Sequence, residues 1–176
     1  MKKIIIVINA VLIVFLAACS VQEKVSPDIF VERLSAANDS FVFETESCFI
    51  DGNKAVFFAK YNNEIDTVFE ITEDEQGNAE KISLACTQAD KAELFISCVK
   101  NVIETYSPDD NSAEILTALF EKIINDGKNK YYETQWHSYS AVFSKEGLFF
   151  SVKNKKLIKE SSVEFSLKEN DIIEYE

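Results

Sequence analysis

Residues 54–72 read KAVFFAKYNNEIDTVFEIT, two runs rich in β-branched and aromatic side chains on either side of Asn62-Asn63. Such runs punctuated by turn residues predict a β-hairpin. In the second run Ile65, Thr67, Phe69 and Ile71 alternate with polar neighbours, so one face of the strand is expected to be buried. Upstream, Asp51-Gly52-Asn53 predicts a tight turn after FVFETESCFI (41–50). Downstream, EDEQGN (73–78) leads into AEKISLAC (79–86), where Ile82, Leu84 and Cys86 alternate again. Four strands in an antiparallel meander follow from this spacing.

Helical periods flank the meander. Ser26-Pro27-Asp28 predicts a helix start, with Ser as N-cap, Pro at the first helical position and an acid at the positive dipole end. Ile29, Phe30, Leu34 and Ala37 then recur on one side. After the meander, Thr87-Gln88-Ala89-Asp90 resembles a capping box. Leu94, Phe95, Cys98, Val99, Val102, Ile103 and Tyr106 form the stripe that follows, and Pro108 ends it. A second stripe, Ile115, Leu116, Leu119, Phe120, Ile123 and Ile124, starts near Ser112 and stops at Gly127. Strand patterns return in YYETQWHSYSAVFS (131–144), GLFFSVKN (147–154) and SVEFSLKE (162–169), with a turn at Lys145-Glu146-Gly147. The expected class is α+β, an antiparallel meander with helices packed on one face, in the order α-ββββ-αα followed by two or three closing strands. That order is compatible with two imperfect helix-plus-meander units.

The 176 residues suit one domain, placed at 26–168, with an acidic tail at 169–176. Hydrophobic residues make up 47% and charged ones 27%, with only 4 Gly and 2 Pro, which excludes wholesale disorder. The net charge is −12, and −14 once Lys2 and Lys3 are set aside with the leader described below. A surface of that sign repels phosphate backbones, so nucleic-acid binding is not expected. Nor can it hold an anionic bilayer by charge, and membrane attachment has to come from another source.

That source is legible at the N-terminus. Met1-Lys2-Lys3 is a positive leader, and residues 4–18 are apolar apart from Asn9, too short a run for a comfortable transmembrane helix. The run closes on Leu16-Ala17-Ala18-Cys19, which resembles the lipobox of bacterial lipoproteins. The resemblance covers the first twenty residues only. It implies a signal peptide at 1–18, lipidation of the Cys19 thiol and a short tether at 19–25. The small alanines leave the backbone accessible to a peptidase, and the cysteine supplies the nucleophilic sulfur. Two or three acyl chains hold a protein on a membrane stably. The implied location is the extracytoplasmic face of the cell membrane.

Catalytic chemistry has little to work with. His137 is the only histidine, and no G-x-S-x-G or comparable nucleophile context accompanies it. One His and scattered Cys match no zinc spacing, and no cofactor motif is present. Counting Gly77 as the sixth position of a calcium loop puts Thr72 first and leaves the twelfth position without Glu, so the acidic turn reads as a solvated hairpin tip. Beyond Cys19, Cys48, Cys86 and Cys98 are expected as separately buried thiols, with Cys48 the better-placed partner for Cys98 if any bridge forms. The densest unusual patch is Tyr131-Tyr132-Glu133-Thr134-Gln135-Trp136-His137-Ser138-Tyr139. Aromatics interleaved with polar groups suit a peptide or glycan platform, which makes Tyr132, Trp136, His137 and Tyr139 the candidate binding residues. Read as one strand, the patch puts Tyr132 and Trp136 on one face and Tyr131, His137 and Tyr139 on the other. The expected function is binding or interaction at the cell envelope, with an envelope protein, peptide or glycan as partner. The alternative is an inhibitory or immunity-type lipoprotein acting through a protein interface.

Overall fold

The computed structural model describes residues 25–44, 49–121 and 128–155. Helix α1 (Pro27–Ala37) precedes strands β1 (Phe41–Phe43), β2 (Phe49–Asp51), β3 (Lys54–Tyr61), β4 (Ile65–Glu73) and β5 (Ala79–Cys86). Helices α2 (Ala92–Tyr106) and α3 (Ser112–Phe120) follow, then β6 (Asn129–Glu133), β7 (His137–Phe143) and β8 (Leu148–Asn154). The class is α+β in the expected order, with the first strand in two segments, β1 and β2, that both pair with β3.

All strand pairs are antiparallel, and the sheet runs β1-β3-β4-β5-β8-β7-β6. Two meanders, β1 to β5 and β6 to β8, are therefore joined along β5 and β8 into one surface. The turns take the chemistry the sequence offers: Asn62 and Asn63 adopt left-handed φ of 53° and 58°, and Gly52 sits at φ 62°. In the acidic turn the Asp74 carboxylate accepts from the backbone N–H of Gln76 and Asn78, so it serves the hairpin itself. Gly147 is required for a different reason, since a Cβ there would lie 2.7 Å from the Cys86 carbonyl oxygen.

The core lies between the three helices and one face of the sheet. Phe57, Phe69, Leu84, Phe150 and Ala141 form one buried row across five strands. Phe30 and Leu34 of α1, with Phe95, Cys98, Val99, Val102 and Ile103 of α2 and Ile115, Leu119 and Phe120 of α3, cover it. Tyrosines fasten the layers at their rims: Tyr106 Oη donates to the Ala79 carbonyl at 2.8 Å, and Tyr61 Oη lies 2.9 Å from Ser97 Oγ.

Four local readings are corrected. Ser26 caps α1 as expected, but Ile29 and Ala37 are exposed while Phe30 and Leu34 carry the buried side. Thr87 caps nothing, because a 3-10 turn at Ala89–Lys91 intervenes and α2 starts at Ala92 without a side-chain cap. The run 131–144 is not one strand. Thr134-Gln135-Trp136 turns it into the β6–β7 hairpin, Thr134 N–H donating to the His137 carbonyl at 2.9 Å. The turn resets the alternation: Tyr132 pairs with Tyr139 and faces the core side, and Tyr131, opposite Ser140, points to the other face. Third-strand segment 162–169, Ile123, Ile124, Gly127, Cys19 and Cys48 lie outside the described residues.

Candidate functional site

Two features of this fold carry polar chemistry, the buried seam under the β6–β7 hairpin and the uncovered face of the sheet. In the seam, the turn between α2 and α3 lowers Asp110 onto the hairpin. Its Oδ2 accepts from His137 Nδ1 at 2.6 Å, from Tyr139 Oη at 2.5 Å and from Thr134 Oγ1 at 3.1 Å. The Asp110 and His137 side chains are 9% and 10% exposed. Ser107 Oγ lies 2.7 Å from Tyr139 Oη and 3.1 Å from the Ile103 carbonyl, and its one proton serves one of them at a time. Burial and then the Asp110 hydrogen bond push the Tyr139 hydroxyl well above its ordinary range, so it stays a donor. Tyr106, whose ring lies 5.6 Å from that of His137, is raised in the same way by burial.

The seam thus places the four candidate residues as follows. His137 and Tyr139 are buried and hydrogen-bonded to Asp110. Tyr132 is half-buried, its hydroxyl donating to Glu114 Oε1 at 2.5 Å. Trp136 sits at the hairpin turn, 39% exposed. Among the described residues no buried side-chain nitrogen or oxygen lacks a partner. Three internal donors converging on Oδ2 hold the turn in place. Asp110, Ser107 and Thr134 were not singled out by the sequence, where Asp109 and Asp110 are indistinguishable.

The uncovered face is built differently. No described helix packs on it, and strand register arranges its side chains in three rows. Lys81, Lys153 and Ser138 stand opposite one another on β5, β8 and β7; Ser83, Ser151 and Ser140 form the next row; Ala85, Phe149 and Val142 form the third. Val68 on β4 and Phe58 on β3 extend the third row, giving an apolar stripe about 19 Å long at the usual strand spacing. A groove of about 400 Å³ runs here, lined by Val68, Lys81, Ser83, Val142, Phe149 and Ser151 among others, within the size range of small-molecule sites. Phe149 is 43% exposed within it. Glu70 also lines the groove, held by Lys54 at 3.2 Å.

Cys86 and Cys98 are free and buried. Burial raises both thiols, Cys98 strongly and with a further contribution from Cys86, which keeps them protonated and unreactive. No group of His, Cys, Asp and Glu among the described residues is arranged to hold a metal, and no described helix is long and apolar enough to cross a membrane. No protein-family model, curated protein or solved structure matches the chain.

Proposed function

We propose that this chain is a lipid-anchored, extracytoplasmic binding protein of the bacterial cell envelope that engages its ligand on the uncovered face of the sheet. The observation that carries the reading is the groove beside Phe149, an exposed large aromatic on a face that no described helix covers. The Leu16-Ala17-Ala18-Cys19 run supports the anchor. A tether of residues 19–25 would hold the domain within roughly 20 Å of the bilayer. Buried, internally satisfied polar groups in the seam favour binding over catalysis.

A second reading, an inhibitory or immunity-type lipoprotein, is favoured by the outer edge. Tyr131 on the edge strand β6 is 70% exposed and Trp136 39%, a pair suited to a protein interface. Loss of partner capture on Tyr131→Ala with ligand binding at the groove unchanged would select it.

The anchor is tested by Cys19→Ser. The wild-type N-terminus should carry acyl mass on Cys19 and fractionate with membranes, and the variant should accumulate as an unlipidated precursor. Recovery of a wild-type chain with an unmodified N-terminal residue and no membrane association would remove the anchor from the account.

A further inference from the structure

The three rows of the uncovered face grade in the same direction on three neighbouring strands. Along β5 the side chains run Lys81, Ser83, Ala85; along β8, Lys153, Ser151, Phe149; along β7, Ser138, Ser140, Val142. Polarity therefore falls in one direction over about 13 Å of strand, from cation through hydroxyl to hydrocarbon on β5 and β8 and from hydroxyl to hydrocarbon on β7. Within this order Lys81 and Lys153 are directly opposite, a like-charge cross-strand pair that costs stability. The chain has 30 acidic residues against 18 basic ones, so the pairing is not forced by a shortage of acids. Lys153 is relieved by Glu80 at 3.3 Å, whereas Lys81 has no carboxylate within ion-pair distance among the described residues. A local rule broken without internal compensation, at the rim of a groove, is where a ligand is expected to supply the missing charge.

We propose that this face binds an anionic amphiphile, with a phosphate or carboxylate head on Lys81, a hydroxyl-bearing segment on Ser83 and Ser151, and the start of an acyl chain on Ala85, Phe149 and Val142. This deepens the binding reading above and rests on it. A glycan fits less well, because its polar and apolar faces recur along its length whereas the face changes only once. A second copy of the chain is disfavoured by the shared net charge of −12. Glu70, opposite Ser83 in the same groove, is paired with Lys54 at 3.2 Å, and Lys81 makes no ion pair among the described residues.

The test uses the full-length chain in phosphatidylcholine vesicles with three probes sharing one diazirine-bearing acyl chain: lysophosphatidic acid, the free fatty acid and the uncharged monoacylglycerol. Cross-links are mapped by peptide mass spectrometry. Anionic probes should label the peptides holding Ala85, Val142 and Phe149 about tenfold more than the uncharged one, the size of one charge-assisted hydrogen bond. Lys81→Gln should remove that preference at a melting temperature no lower than that of the wild type, since it also relieves the repulsion from Lys153. Stronger labelling by the phosphate probe assigns a phospholipid head, and stronger labelling by the carboxylate assigns a free fatty acid. Equal labelling of the face by charged and uncharged probes, or a preference that survives Lys81→Gln, overturns the proposal while leaving the face a binding surface. If no probe labels the face but polygalacturonate protects Phe149 from oxidation, a glycan replaces the amphiphile. No labelling and no protection by any ligand removes the binding reading as well.

Discussion

Asp110→Ala is expected to lower stability by about 3 to 5 kcal/mol, because each buried donor left without its acceptor costs about 1 to 3 kcal/mol. The substitution deletes the acceptor for His137 Nδ1, Tyr139 Oη and Thr134 Oγ1 together. Buried donors left without a partner each lose the hydration they would regain on unfolding, and Ser107, within reach of Tyr139 alone, cannot replace one oxygen that serves three groups. Thr134 also accepts from His137 N–H at 3.0 Å, so the hairpin turn should loosen with it. Asp109→Ala, one residue earlier on an exposed side chain, should change stability by less than about 0.5 kcal/mol. Urea unfolding of both variants decides the matter through the midpoint at constant slope. Equal, small shifts would mean that the seam does not hold the hairpin.

Phe69→Ala should cost about 3 to 5 kcal/mol, and Phe149→Ala less than about 1 kcal/mol. Phe69 is 0% exposed and packs against Phe43 at 5.3 Å and Phe41 at 6.0 Å between ring centroids. Truncation leaves a cavity that strands held in register cannot collapse to fill. Phe149 belongs to the opposite face of the same sheet and is 43% exposed, so its ring leaves no cavity when removed. The contrast is large because the two faces of this sheet have different surroundings, three helices on one and none of the described helices on the other. Similar losses in the two variants would mean that the second face is covered.

Much of this architecture was readable from residue order. Alternation at Ile65, Thr67, Phe69 and Ile71 named the buried face of β4, and the stripe from Phe95 to Ile103 named the buried face of α2, because periods of 2 and 3.6 report burial directly. What failed were features set by contacts distant in sequence. Nothing local in YYETQWHSYSAVFS distinguishes a strand from a hairpin, since its turn lacks Gly and Pro and is held by Thr134, Asp110 and the Lys155 N–H bond to the Trp136 carbonyl. The joining of two meanders along β5 and β8 depends on register between residues some 65 positions apart. Of the candidate binding residues, His137 and Tyr139 are in the buried seam, Tyr132 is half-buried, and only Trp136 is exposed, at 39%. The rows of the uncovered face were invisible for the same reason, as Lys81 and Lys153 become neighbours only when β5 meets β8.

A ligand seated on the uncovered face, as proposed, would shield Phe149, and oxidation of that side chain reports whether it does. Hydroxyl-radical footprinting of the full-length protein should be run both purified in phosphatidylcholine vesicles and in intact cell envelopes. Phe150, 2% exposed on the covered face, serves as the internal reference. Phe149 should oxidise fast and Phe150 slowly in the purified protein, with Phe149 protected in the envelope while Tyr131 at the sheet edge stays reactive. Phe149 reacting as slowly as Phe150 in the purified protein, or equally fast in both preparations, would contradict ligand binding on this face.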